Sequence, residues 1–257
     1  MKHLRSSAVA VAVVAFMLCG ALSAAADEVT LVAPGGIRAA VEQMIPEFER
    51  ATGHKVKATF GSGLGTKQQV ARGEPFDVPI VQPPYPEVLA SGHVVATSAT
   101  PLATVAVGVA VRKGARKPDI STPDAVKRML LAAKFVSYPN PSGGAAAGVS
   151  FDETLKTLGI AGQMKPNIKL AQGGAGAMAM LASGEGEIGL TFISEIVTEA
   201  GVEVVGALPR EISTPTALVG FVSAHAKAPE AAKALLTYLS SPAAAAVYKK
   251  YGMKPGR

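Results

Sequence analysis

Glycines precede or open four predicted helices, where backbone amides could bind an anion. The four junctions follow predicted strands: Gly35-Gly36-Ile37, Gly61-Ser62-Gly63, Ser142-Gly143-Gly144 and Gly173-Gly174. The first amides of a helix have no partner within it and carry a partial positive charge, and glycine lets a ligand approach them closely. A single Gly-Gly pair is more often only a tight turn. Four such junctions, two in each of two similarly ordered halves of the chain, favour a binding site for a small ligand that is anionic or rich in hydrogen-bond acceptors.

Side chains that could catalyse a reaction are not grouped along the chain. His3, His54, His93 and His225 are widely separated and have neither metal-ligand nor triad spacing. Ser62 lies between glycines, but not in a G-x-S-x-G motif. The glycine loops also lack a P-loop ending and the full G-x-G-x-x-G spacing. We therefore expect no enzyme, no cofactor and no bound metal ion.

The elements that position the glycines are predicted twice in the same order. Each unit is a strand, a Gly-Gly turn, a helix, a strand, a glycine loop, a helix, a Gly-Glu turn and a strand; the units run from Val29 to Val81 and from Phe135 to Phe192. The second helices are predicted over Thr66–Ala71 and Ala177–Ala182. This alternation predicts an α/β fold with two lobes, each a mostly parallel sheet flanked by helices. The junctions would then converge in a cleft between the lobes.

The connections between the units define the predicted lobes. The apolar run from Thr104 to Val111 predicts one strand that crosses between lobes, and Thr216 to Ser223 predicts a returning strand. Residues 27–105 and 208–257 are assigned to the first lobe and residues 106–207 to the second. Thr122 followed by Pro123 is typical of the start of a helix.

The first 26 residues have the pattern of a secretory signal peptide. Lys2, His3 and Arg5 precede an uncharged run that ends in Ala24-Ala25-Ala26, so cleavage is expected after Ala26 and the mature protein in the periplasm. A membrane anchor is a weaker alternative, because the run is short, rich in Ala and without a basic flank after it.

Composition excludes several classes of protein. The 257 residues are 49% hydrophobic and 17% charged, which is typical of a globular chain that buries a core. The net charge is +6, but the basic residues do not form a stripe along the chain and there is no Trp. Nucleic acid is therefore not an expected partner. We expect a monomer.

The chain resembles type II periplasmic solute-binding proteins of ABC importers, and among them the molybdate-binding branch. The resemblance covers almost all of the mature chain and rests on five segments: VAPGGIRAAVEQMIPEFERATG, FGSG followed by RGEPFDVPIV, YPNPSGGAAAGV, GEGEIGLTFISE and SPAAAAVYKKYGM. It implies a receptor that closes on a small anion and delivers it to an inner-membrane ABC permease. An exported sensing protein of the same fold is the alternative.

The resemblance also implies binding residues, and this chain departs from several of them. The serine of the family's first helix falls within Gly35-Gly36-Ile37, its second serine falls at Gly63, and its tyrosine is replaced by Phe192. Backbone amides match Ala147 and Gly174. Three hydroxyls are thus missing, so a small organic carboxylate fits at least as well as molybdate or tungstate. The residues predicted to bind the ligand are Gly35, Gly36, Ile37, Ser62, Gly63, Ser142, Ala147, Gly148, Gly174 and Phe192.

Replacement hydroxyls could come from four residues, namely Ser62, Ser142, Thr66 and Thr191. Arg38 could add positive charge to the site, but its place in the first helix favours a side chain that points into solvent.

Overall fold

The structure is a computed structural model that describes residues 26–256. The predicted signal peptide, apart from its last residue, lies outside the described residues. The strands, in chain order, are β1 (Glu28–Pro34), β2 (Lys55–Gly61), β3 (Val78–Val81), β4 (Thr100–Val105), β5 (Val107–Arg112), β6 (Val136–Pro139), β7 (Ile168–Ala171), β8 (Ile188–Phe192), β9 (Val202–Ala207), β10 (Thr216–Gly220) and β11 (Lys254–Pro255).

Helices alternate with these strands over most of the chain. They are α1 (Arg38–Thr52), α2 (Gly63–Ala71), α3 (Pro86–Ala90), α4 (Pro123–Ala132), α5 (Ala146–Thr157), α6 (Ala161–Met164), α7 (Gly173–Ser183), α8 (Ile193–Ile196), α9 (Pro229–Leu239) and α10 (Pro242–Lys250). A 3-10 turn, Gly35–Ile37, leads directly into α1. Within residues 26–256, none of the helices has both the length and the apolar character needed to span a membrane.

The strands form two sheets, and each sheet is the centre of one lobe. The first lobe contains a six-stranded sheet of order β11-β4-β10-β3-β1-β2, and the second a five-stranded sheet of order β7-β6-β8-β5-β9. In the first sheet β1 pairs in parallel with β2 and β3. In the second, β6 pairs in parallel with β7 and β8. The predicted two-lobed α/β fold is confirmed.

One detail of that prediction is wrong, because the sheets are mixed and not mostly parallel. β10 is antiparallel to β3 and β4, and β5 is antiparallel to β8 and β9. β5 and β10 are the first strands after the chain passes from one sheet to the other, and each is antiparallel to a neighbouring strand from the parallel part of its sheet. The predicted crossing strand is also two strands: β4 ends at Val105 and β5 starts at Val107, so the chain passes between the sheets at Ala106.

Two helices near the cleft begin earlier than predicted. α2 starts at Gly63 instead of Thr66, because Ser62 caps it by accepting a hydrogen bond from the Gly65 amide at 3.1 Å. α7 starts at Gly173 instead of Ala177. The glycines therefore form the first turns of these helices, and their amides are helix N-terminal amides. The predicted start of α4 is confirmed, since Thr122 accepts from the Ala125 amide and Pro123 is the first helical residue.

Strands β3 and β8 lie at the centre of their lobes and are buried over their whole length. Both consist largely of apolar residues because helices cover both faces of the sheets. The carboxyl end of each strand points toward the other lobe. The residues that follow β3 and β8 therefore lie at the cleft.

Candidate ligand-binding cleft

A cavity of about 620 Å³ lies between the lobes at the carboxyl ends of their strands. Pro34, Gly61 and Gln82 line it from the first lobe, at the ends of β1, β2 and β3. Pro139 and Ala171, at the ends of β6 and β7, line it from the second lobe. The carboxyl edge of a parallel sheet is where α/β proteins bind ligands, because the helix N-termini meet there.

Four helix starts face this cavity, two from each lobe. The 3-10 turn that leads into α1 and the first turn of α2 belong to the first lobe, and the first turns of α5 and α7 to the second. Neither α5 nor α7 has a side-chain cap. The uncapped amides and the partial positive charge of the helix ends favour an acceptor or an anion in the cavity.

Most of the predicted binding residues lie along the cavity wall. They are Gly35, Gly36, Ser62, Gly63, Ala147, Gly174 and Phe192. The other three do not line it. Ile37 is fully buried in the core, Gly148 is buried with its Cα against the Pro139 carbonyl, and Ser142 is exposed on a 3-10 turn.

Glu195 is a cavity residue that the sequence analysis did not identify. It lies in the first turn after β8, and its Oε1 is 3.5 Å from the position of a Cβ on Gly35. A Cβ on Gly174 would overlap its carboxyl group. The carboxyl group therefore lies between helix starts from both lobes, where an anionic ligand would otherwise fit.

The environment of Glu195 favours its protonated form. Burial raises the pKa of the Glu195 carboxyl group, and this outweighs the hydrogen bonds from the Thr191 hydroxyl and the Phe192 amide, which lower the pKa. A carboxyl group with a raised pKa in a cleft is able to exchange a proton with a ligand.

Gln82 is the second cavity residue that the sequence analysis did not identify. It follows β3 and its side chain is only 3% exposed. Among residues 26–256, neither Gln82 Oε1 nor Nε2 has a hydrogen-bond partner. A Cβ on Gly63 would overlap Oε1, so glycine at the start of α2 makes room for this amide.

Arg38 lies at the edge of the cavity, and its charge is directed toward the surface as predicted. Its side chain is 56% exposed, its Nε is 3.5 Å from Glu42 Oε1, and its guanidinium lies 5.0 Å from the centre of the Phe60 ring. In the described part of the chain, Arg38 and Glu195 are the charged side chains that line the cavity. The same residues contain no group of three His, Cys, Asp or Glu side chains arranged to hold a metal ion.

The family of this chain follows from its match to known proteins. A family model of bacterial extracellular solute-binding proteins matches residues 29–254. The chain belongs to this family. An aconitate isomerase from Pseudomonas sp. is 32% identical over 239 residues, which cover 88% of this chain and 87% of that protein.

Molybdate-binding proteins are similar to the chain in both sequence and fold. The molybdate-binding protein ModA of Azotobacter vinelandii is 31% identical over 240 residues, covering 90% of this chain and 92% of that protein. A solved periplasmic molybdate-binding protein from Azotobacter vinelandii has a TM-score of 0.73 at 21% identity and covers 88% of this chain and 98% of that chain. The resemblance to type II periplasmic solute-binding proteins of the molybdate-binding branch is confirmed.

In this solute-binding protein, the residues with a side-chain hydroxyl that line the cleft are, within residues 26–256, Ser62 and Thr198. The Ser62 Oγ accepts a hydrogen bond from the Gly65 amide and caps α2, and the Thr198 hydroxyl donates to the Glu195 carbonyl at 2.7 Å. The Thr191 hydroxyl is buried and donates to Glu195; Thr66 is fully buried, does not line the cavity, and its Oγ1 has no hydrogen-bond partner among residues 26–256. At the position of the tyrosine that the resemblance implies, the Phe192 ring lies so close to Gly36 that a Cβ there would be 2.7 Å from it.

Proposed function

We propose that this solute-binding protein binds a small organic carboxylate in the cleft between its lobes. The position of Glu195 carries the proposal. Its carboxyl group lies between helix starts from both lobes, so a compact dianion such as molybdate that took its hydrogen bonds from these amides would lie directly beside it. A longer organic acid can place its carboxylate elsewhere in a cavity of about 620 Å³. Binding would stabilise the closed arrangement of the lobes.

The missing hydroxyls support an organic acid over a tetrahedral oxyanion. Each hydrogen bond to a charged ligand is worth about 1.5–3 kcal/mol, so the loss of three would weaken oxyanion binding by several orders of magnitude. The relative from Pseudomonas sp. also bears the name of a tricarboxylate, aconitate.

Titration calorimetry and thermal unfolding of the mature protein test the proposal. The ligands are cis-aconitate, trans-aconitate, citrate and tricarballylate, with molybdate, tungstate and sulfate for comparison. An organic acid that binds will raise the melting temperature with concentration. A micromolar response to molybdate with none to the acids would overturn the proposal.

We also propose that the mature protein works in the periplasm as a monomer and delivers its ligand to an inner-membrane ABC permease. The predicted signal peptide and the solute-binding family support this. Uptake of a labelled acid by cells with and without the gene tests it. Unchanged uptake together with a changed transcriptional response would favour the alternative, an exported sensing protein.

Isomerisation of an unsaturated tricarboxylate is a second candidate function, and Glu195 is the observation that favours it. The expectation of no enzyme rested on the lack of a catalytic group, and Glu195 is a buried carboxyl group with a raised pKa in the cleft. Its carboxylate would remove one proton from the CH₂ carbon next to the double bond of aconitate. The double bond would shift to that carbon, and the proton would be added to the CH carbon of the original double bond. The reaction needs no co-reactant.

Nuclear magnetic resonance in D₂O distinguishes binding from isomerisation. An isomerase will interconvert cis- and trans-aconitate and incorporate deuterium, and E195Q will lose both activities while E199Q retains them. Glu199 lies four residues further along, after the end of α8, and does not line the cavity. If wild-type protein binds aconitate without exchange, the chain is a receptor only.

A further inference from the structure

The two ends of the cavity differ in chemistry, although each receives a helix start from both lobes. At one end Gly35 of the first lobe and Gly174 of the second face the Glu195 carboxyl group. At the other end Gly63 of the first lobe lies against the Gln82 amide, and a Cβ on Gly63 would be 3.2 Å from the Ala146 Cβ of the second lobe. We call these the Glu195 end and the Gln82 end.

The Gln82 end has a buried polar group without a partner. A buried amide that forms no hydrogen bond destabilises the folded protein, and nearly all buried polar groups in proteins are paired. Both polar atoms of the Gln82 side chain are unpaired within the described residues, and the side chain lines the cavity. A ligand group that accepts from Nε2 would satisfy this amide.

The surroundings of Gln82 favour a negatively charged ligand group. The first turns of α2 and α5, helices of nine and twelve residues, begin there, and α5 has no side-chain cap. The carboxyl group of Glu195 faces the other pair of helix starts. A carboxylate at the Gln82 end therefore has helix amides and an amide side chain around it.

We infer that a bound carboxylic acid places one carboxylate at the Gln82 end and directs a group that can share a proton, either a hydroxyl or a second carboxyl, toward Glu195. This inference rests on the proposed function. It narrows the ligand class to acids with two or more polar groups on a short carbon chain, since both ends of the cavity must be filled. Acids with a single carboxylate and no second polar group will bind weakly.

Near-isosteric changes of charge at the two ends test the inference by titration calorimetry with tricarballylate. Q82E puts a negative charge where the carboxylate binds and is expected to weaken binding about 100-fold. E195Q removes the charge that Glu195 takes up as pH rises, so it is expected to strengthen binding about tenfold at a pH where wild-type Glu195 is ionised and can no longer share a proton. The opposite signs are a result that general damage to the fold would not produce.

Matched controls distinguish the effect of a charge at either end of the cavity from the effect of the protein's net charge on binding. Q68E adds the same charge on the exposed face of α2, and E199Q removes one outside the cavity; both should bind tricarballylate as wild type does. If wild type binds tricarballylate and Q82E binds it equally well, the inference fails and the proposed function stands. If wild type binds none of the acids, the proposed function fails and the inference with it.

Thermal unfolding of Q82M without ligand gives a second measurement that does not depend on the ligand tested. Methionine has a similar volume and no unpaired amide, so the melting temperature should rise by about 2–4 °C if Gln82 has no partner in the free protein. A lower melting temperature would mean that Gln82 stabilises the fold through a partner of its own, and this too would overturn the inference.

Discussion

At the scale of single residues, Glu195 links the stability of the free protein to pH. Burial raises the pKa of its carboxyl group. At pH values between the ordinary pKa of a glutamate and this raised pKa, the folded protein holds a proton that the unfolded chain has lost. Under this linkage the free energy of unfolding falls as pH rises through that range. Above it, the folded protein contains a buried negative charge.

E195Q is therefore expected to be more stable than wild type at neutral pH and above. The difference should be small at about pH 3, where the carboxyl group is protonated in both states, and should increase as pH rises above the ordinary pKa of a glutamate toward about pH 8. Melting temperatures of both proteins across this range measure it. E199Q is the matched control, and a constant difference between E195Q and wild type would contradict the assignment of the raised pKa to Glu195.

Sequence reasoning found glycines at the cleft and missed Gln82 and Glu195, two of the polar side chains that line it. The glycines were identified because each precedes or opens a helix, which is a local pattern. Gln82 and Glu195 follow β3 and β8, and only the sheet order shows that these strand ends face the same cavity. For Gln82 the available signal was a polar residue directly after a wholly apolar strand; Glu195 comes three residues after β8 and had no such signal.

At the scale of elements, Asp77 joins three segments of the first lobe. Its Oδ2 accepts from the Thr30 amide at 2.8 Å and the Thr30 hydroxyl at 2.6 Å, and its Oδ1 accepts from the amides of Lys227 at 2.6 Å and Ala228 at 3.3 Å. Burial alone would raise the pKa of Asp77, but these hydrogen bonds together lower it. Its stabilising effect is present above the ordinary pKa of an aspartate and is lost as pH falls through the lowered value.

D77N is expected to lower the free energy of unfolding by about 3 kcal/mol at pH 7, because an amide has one acceptor atom where the carboxylate has two. Urea denaturation measures this loss. E230Q is the control: Glu230 pairs with Lys233 on the surface at 2.7 Å with its side chain 84% exposed. Such pairs contribute about 0–1 kcal/mol, so E230Q should unfold nearly as wild type does. Equal effects of the two changes would show that Asp77 does not join these segments strongly.

The element pattern was predictable because each lobe repeats an alternation that determines the fold class. The antiparallel pairing of β5 and β10 was not predictable, because the residues of a short apolar strand do not indicate whether it runs parallel or antiparallel to its neighbours. Helix starts were misplaced by three or four residues at α2 and α7 because glycine normally disfavours helix. The Ser62 cap and the tertiary contacts of the cleft outweigh that preference.

At the scale of the whole molecule, Gly36 of the first lobe is one of the places where the two lobes contact each other. The Ser194 hydroxyl donates to the Gly36 carbonyl at 2.6 Å, and the Phe192 ring lies so close to Gly36 that it leaves no room for a Cβ there. The Leu64 amide also donates to the Gly144 carbonyl at 3.2 Å across the cleft. These contacts join the lobes in the arrangement that encloses the cavity.

A methyl group at Gly36 is therefore expected to oppose closure. In G36A the Cβ would be 2.7 Å from Phe192 Cδ2, and the lobes must move apart to relieve the contact. Overpacking of this kind costs about 1–3 kcal/mol, so affinity for citrate should fall about tenfold or more. X-ray scattering should also show a larger radius of gyration for G36A than for wild type at saturating citrate.

The double variant G36A/F192A tests whether this contact is the cause. Removing the ring leaves room for the methyl group, so adding G36A to F192A should cost much less affinity than adding it to wild type, a coupling that a double-mutant cycle measures. G162A is the control, because a Cβ on Gly162 meets no atom within 4 Å. If G36A binds citrate as tightly as wild type and is equally compact, closure of the lobes does not depend on the fit between Gly36 and Phe192.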